Sequence, residues 1–243
     1  MSGHSKWAKL KHFKGAIDAK RAAMFTKVSR MITIASREGG PDPRMNFKLR
    51  LAIEKAKQIN MPKANIQKAI DRGQGKTKES EIESGLYEVS LFGKVFLIIE
   101  TLTDNKNRTI AELRRILSKY NANIVKPNSI LWMFDQKGVL RIENFKDKIK
   151  DPEEFQLKLI DCGGVEDIKE EGNTLVILTK PDSLEKIKNF LEEELKIEAD
   201  YSEVEWFAKN LVEISPEEQK KIDSLYAELD EHPDVNDYYS NIK

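Results

Sequence analysis

Residues 86–120 read LYEVSLFGKVFLIIETLTDNKNRTIAELRRILSKY, and a change of period inside them decides the fold class. Two β-rich runs, 86–91 and 95–102, flank Phe92-Gly93-Lys94, which is the pattern of a hairpin. From 109 to 120 the period turns helical: Leu113, Ile116 and Leu117 supply an apolar face, and Thr109 with Glu112 has the spacing of a capping box. Strand, strand, helix in that order opens an α+β domain whose helix covers one face of an antiparallel sheet.

Downstream, the runs 130–134 and 139–142 read as strands, and Asp151-Pro152-Glu153-Glu154 starts a helix that reaches Cys162. Two further strands, 165–170 and 174–179, join around Gly172-Asn173; a helix over 183–195 and a strand from residue 197 follow. The order β-α-β-β-α-β is that of a ferredoxin-like domain. Ser215-Pro216-Glu217-Glu218 then starts a helix carrying Ile222, Leu225 and Leu229, and 235–239 is a short strand. That last pair completes the hairpin domain and leaves about 135–208 as an insertion.

Upstream, every pattern is helical. Ala16, Lys20 and Met24 lead into Val28, Met31, Ile32 and Ala35, and Gly39-Gly40-Pro41 ends the run. A second helix is predicted over 46–59, with Leu49, Ala52, Ile53, Ala56 and Ile59 on one face. A third begins at Pro62, buries Ile66, Ala69 and Ile70 and stops at Gly73. Residues 74–83 are polar, interrupted by glycine, and read as a linker. The expected fold is therefore α+β: an N-terminal three-helix bundle (1–78), then two α/β-sandwich domains, the first built from 79–134 plus 209–243 and the second, ferredoxin-like, inserted at 135–208.

The chain's 41 basic and 41 acidic residues cancel, but not locally. Residues 1–78 hold 19 basic and 5 acidic residues, a balance of +14, and 79–243 hold 22 and 36, a balance of −14. Such a dipole directs one end toward polyanions, and DNA or ribosomal RNA is the partner class it fits. The acidic part suits a protein partner. At the N-terminus His4, Ser5, Lys6, Trp7, Lys9, Lys11, His12, Lys14, Lys20, Arg21, Lys27 and Arg30 cluster with only Asp18 among them. Lysines meet phosphates without reading sequence, while Trp7, His12 and Phe13 offer flat faces on which an unpaired base can stack.

Other classes find less support. Cys162 is the only cysteine, so no disulfide forms within the chain, and three scattered histidines (His4, His12, His232) present no metal-ligand spacing. No apolar run is long enough to span a membrane and no secretory leader is evident, which points to the cytoplasm. Gly75-Lys76-Thr77 lacks the earlier glycine of a phosphate-binding loop, since Ile70 stands there, and follows a helix where that loop follows a strand. The turn Thr103-Asp104-Asn105-Lys106-Asn107-Arg108-Thr109 reads first as turn and cap, and second as an anion site in which Asn105, Asn107, Arg108 and Thr109 surround a helix N-terminus. No catalytic residue, metal or cofactor is implied, and a monomer is expected. A hydrolase using carboxylates and Mg²⁺ is the remote rival, and no single Asp or Glu is nominated for it.

The stretch GHSKWAKLKHFKGAIDAKRAAMFTKVSR, the LTDNKNRT turn and the pairing of Val235-Asn236 with Tyr238-Tyr239 together resemble the YebC/PmpR family, which includes mitochondrial translational activators. The resemblance runs along essentially the whole chain and implies three domains, the third inserted into the second. It implies a cytoplasmic DNA-binding transcriptional regulator or, in a second proposed role, a ribosome-associated translation factor that eases synthesis of proline-rich stretches. Its carried residues are Gly3, His4, Ser5, Lys6, Trp7, Lys11, His12, Lys14, Lys20, Arg21, Phe25 and Lys27, then Thr103, Asp104, Asn105, Asn107, Arg108 and Thr109. The sequence departs from the family at 89–94 and 121–128, where glycine-rich loops are usual.

Overall fold

The computed structural model describes residues 18–77 and 80–243, with side chains from residue 22 onward. The described residues form two compact units: those up to Met133 together with Ala208–Lys243, and Phe134–Phe207.

In the first unit, α1 (Asp18–Gly39), α2 (Phe47–Gln58) and α3 (Lys63–Gly73) bury Val28, Ile32, Leu49, Ala56, Ile66 and Ile70 among them. Asn46, expected as the first residue of α2, is its cap: the side-chain oxygen accepts from the Leu49 amide at 3.0 Å. Its amide nitrogen donates to the carbonyls of Ala35 and Gly40, so one side chain starts α2 and ties it to the end of α1. At the far end of α3 a Cβ on Gly73 would lie 2.4 Å from the Thr33 carbonyl oxygen. Only glycine permits this approach, which lets the Thr33 and Ser36 hydroxyls donate to the carbonyls of Ala69 and Ile70.

The same unit holds an antiparallel sheet of order β3-β1-β2-β8, made of β1 (Glu83–Leu91), β2 (Val95–Thr103), β3 (Ala122–Ile124) and β8 (Val235–Ser240). The hairpin turns at Phe92 and Gly93, both at positive φ, as a type I′ turn requires. Helices α4 (Lys106–Ser118) and α8 (Pro216–Glu231) pack on one face, over Val89, Leu97, Ile99, Leu113, Leu225 and Tyr238. The capping box of α8 forms at Ser215 and Glu218.

In the second unit β4 (Phe134–Glu143), the short α5 (Phe145–Lys148), α6 (Pro152–Cys162), β5 (Val165–Glu171), β6 (Thr174–Thr179), α7 (Leu184–Glu193) and β7 (Tyr201–Ala208) follow in order. The sheet runs β5-β6-β4-β7, the ferredoxin-like arrangement in which the first and third strands lie at the centre. A Cβ on Gly138 would meet the Thr179 hydroxyl at 2.2 Å and Leu184 at 3.0 Å, so glycine there admits the start of α7 to the sheet.

Three expectations are corrected. The run 130–134 is not a strand of its own: Leu131–Met133 is a 3₁₀ turn, Phe134 already opens β4, and the edge strand beside β1 is β3, eight residues earlier. The cause is Glu88, a buried carboxylate that accepts from the amides of Asn128, Ile130 and Leu131 and so takes those donors away from any ladder. Helix α4 begins at Lys106 with Asn105 as its cap, and Thr109 lies a full turn inside. Strand β7 begins at Tyr201, not 197, because the Ile197 amide still closes α7 on the Leu191 carbonyl and Lys196 turns the chain at positive φ.

Candidate nucleic-acid interface

Of the residues assigned to nucleic acid from the sequence, His4, Ser5, Lys6, Trp7, Lys9, Lys11, His12 and Lys14 lie outside the described residues. Lys20 and Arg21 fall on the first turn of α1, with side chains outside the described set. Lys27 and Arg30 are visible, and both contact the chain itself. The Lys27 ammonium donates to the Asp230 carbonyl at 2.8 Å, at the C-terminal end of α8, where a helix end favours a cation. Arg30, also in the expected set, has its guanidinium directed at an internal carboxylate and two carbonyls.

Nη1 of Arg30 donates to Asp234 Oδ1 at 2.6 Å and lies within hydrogen-bond distance of the Leu102 and Pro233 carbonyls at 2.9 and 2.8 Å. The other carboxylate oxygen of Asp234 is the anion that the LTDNKNRT turn holds. Arg108 Nη2 reaches it at 2.8 Å, and the hydroxyls of Thr109 and Thr103 reach it at 2.7 and 3.0 Å. Asn105 accepts from the Arg108 amide as the cap, Thr103 Oγ1 accepts from the Asn105 amide, and Asp104 holds the same Arg108 nitrogen at 2.9 Å. Asn107 stands on the exposed side of this first turn. Of the residues read as an anion site, Arg108 and Thr109 hold this internal carboxylate, whereas Asn105 caps the helix and Asn107 is exposed.

Burial by itself raises the Asp234 carboxyl, but the bonds from Arg108, Thr109 and Arg30 outweigh it and hold the group well below the usual carboxylate range. Next to it, buried His232 accepts from the Asp234 amide through Nδ1 at 3.1 Å, which leaves the ring proton on Nε2. Nε2 sits 3.1 Å from Glu112 Oε2, off the line of an aligned hydrogen bond. Desolvation pushes the imidazole below its ordinary value, against the carboxylates of Asp234 and Glu112 and with the help of Lys27. Glu112, His232 and Asp234 bring ligand atoms within 4.8 Å of one another. They do not suit a cation, because both Asp234 oxygens face arginines and the imidazole nitrogen facing Glu112 carries a proton.

Asp234 escaped the sequence reading. The available signal was a turn in which the donors of Thr103, Arg108 and Thr109 outnumber its one carboxylate, Asp104, and so leave room for a second carboxylate from elsewhere in the chain. The helical segment stays basic without its first residues: 18–77 contain 14 basic and 5 acidic residues. Among the described residues no helix is long and apolar enough to cross a membrane.

Comparison with known proteins covers the whole chain. Residues 5–76 match the family model of the TACO1/YebC protein N-terminal domain, and 82–242 match that of the TACO1/YebC second and third domain. A protein of Natranaerobius thermophilus is 41% identical over 99% of this chain and 96% of its own length. One from Kosmotoga olearia is 43% identical over 100% and 94%. Both are named "Probable transcriptional regulatory protein". The crystal structure of a conserved hypothetical protein from Aquifex aeolicus superposes with a TM-score of 0.84 at 34% identity, covering 98% of this chain and 97% of that one. With 5–76 and 82–242 matched by the two family models and relatives above 40% identity over at least 94% of their length, the chain belongs to the TACO1/YebC family.

Proposed function

We propose that this protein is a non-catalytic, nucleic-acid-binding regulator of gene expression, acting by preference as a DNA-binding transcriptional regulator. One observation carries the reading: a charge of +14 on residues 1–78 set against −14 on the remainder. The basic segment engages phosphates through Lys6, Lys9, Lys11 and Lys14, with Lys20 and Arg21 continuing the row. The acidic sheets stay clear of the polyanion and face a protein partner or set the orientation of the helices. Kinship with proteins named as transcriptional regulators supports this. The Arg30–Asp234–Arg108 junction serves architecture in this reading: it ties the basic helices to the first sheet.

The interleaving of Trp7, His12 and Phe13 with lysines favours a second reading, a translation factor on ribosomal RNA, because folded RNA displays unpaired bases. Sedimentation through a sucrose gradient at physiological salt separates the two. Enrichment of promoter DNA without co-migration with ribosomal particles supports transcription, and co-migration supports translation. If about six phosphates are engaged, affinity falls with salt at a log–log slope of roughly −4 to −5; a flat response overturns both readings.

A further inference from the structure

Trp132 stands on the 3₁₀ turn Leu131–Met133 with 67% of its surface exposed. Large aromatics are costly to leave in water, and this one is held in place rather than merely left there. Its indole Nε1–H donates to the Ser129 carbonyl at 2.9 Å, which fixes the ring and satisfies its only donor. The loop beneath is anchored by Glu88, 3% exposed, whose carboxylate takes three loop amides. The Met133 amide closes on the Ile130 carbonyl, and the Lys209 amide donates to the Met133 carbonyl from a separate segment. The fixed indole is left with most of its surface open to solvent.

The charge of its own segment points to the ligand. Residues 113–134 contain Arg114, Arg115, Lys119 and Lys126 and no acidic residue; Lys119 is paired with Glu228 at 2.6 Å, and Asp135 follows the segment. The one carboxylate under the loop, Glu88, faces inward onto the amides. A fixed aromatic side chain on a segment that also carries Arg114, Arg115 and Lys126 is the chemistry that binds an unpaired base beside its phosphate.

We infer that Trp132 is a base-stacking site for single-stranded nucleic acid, a second contact separate from the basic N-terminal segment. This rests on the nucleic-acid reading above and narrows it to a partner with unpaired bases. The test uses the full chain, fluorescein-labelled single-stranded RNA and DNA of about 12 nucleotides, and a duplex of the same sequence, followed by anisotropy. Trp132→Ala is expected to weaken single-strand binding about 5- to 150-fold, the equivalent of roughly 1–3 kcal/mol for one stacked base, and to leave duplex binding within twofold. Trp132→Phe keeps a flat face and retains most of the affinity. Tryptophan emission of the wild type is quenched by the single strand more than that of the Ala variant. An unchanged melting temperature shows that the Ala variant is folded.

Single-strand affinity unchanged in Trp132→Ala, while the Lys6, Lys9, Lys11 and Lys14 to Gln variant loses it, overturns the inference and leaves the broader reading standing. Equal loss on strand and duplex also overturns it, because stacking needs an open base. If the wild type binds neither, the broader reading falls and this inference with it.

Discussion

Asp234 ties distant parts of the chain together, because Arg30 and Arg108 share its carboxylate. Its side chain is 1% exposed, and Arg30 and Arg108 are 12% and 42% exposed. Removing one partner of a buried ion pair strands the others, so Asp234→Asn is expected to cost on the order of 3 kcal/mol, read as a lower denaturation midpoint. Arg30→Met should likewise lower the melting temperature while leaving nucleic-acid affinity within twofold; a large loss of affinity would return Arg30 to the binding set. The pH dependence has a definite sign. Asp234 titrates below its ordinary 3.8 in the fold, so its contribution is present above that value and lost as the pH drops through the native one. His232 also titrates below its ordinary 6.5, so under about pH 6.5 the unfolded chain takes up a proton that the native chain refuses. Stability therefore declines from pH 6.5 downward, and His232→Gln should flatten the stretch between pH 6.5 and 5 in urea titrations; an unaltered profile would show that the imidazole is not the source.

At the scale of elements, period and punctuation were readable wherever a segment's neighbours are local. The two hairpins, the stops at Gly39 and Gly73 and the proline starts of α6 and α8 stand where their sequences put them, since caps and turns act within a few residues. Long-range partners defeated the reading. The β-branched and aromatic run 130–134 has strand propensity, but Glu88, more than forty positions away, consumes its amides. Thr109 has the cap's chemistry, yet Asn105 caps the helix and Thr109 serves Asp234. The donors of Arg108 and Thr109 were legible in their turn; that they serve a carboxylate more than a hundred positions away was not, because Asp234 sits in an ordinary turn of its own. Glu88→Gln, which keeps the shape and removes the charge, is expected to cost about 1.5–3 kcal/mol and to speed hydrogen exchange at Asn128, Ile130 and Leu131. Exchange at wild-type rates would mean that the loop holds itself.

For the whole molecule, the division of charge is the property that composition alone conceals, because the two halves cancel in the total. It predicts a response at long range. Replacing Lys6, Lys9, Lys11 and Lys14 by Gln removes four charges from the basic end and should reduce the magnitude of the salt slope by about 3 to 4, with affinity for DNA and RNA falling together. Fold class was legible at this scale because period-2 and period-3.6 segments alternate in an order that few topologies accommodate. The binding face was legible as charge and not as geometry, since lysines disclose a polyanion and nothing of how it lies.

The bond between Arg30 and Asp234 spans 204 positions of sequence, which orders events at the birth of the molecule. Synthesis runs from the amino end at about 5–20 residues per second, so the guanidinium waits roughly 10 to 40 s before its carboxylate exists. Through that interval α1 can close on α2 and α3, whose contacts are near in sequence, but it cannot dock. A polypeptide broken off before residue 234 keeps its cationic helices and lacks the clasp that aligns them, so alignment is conferred only on molecules finished to that point.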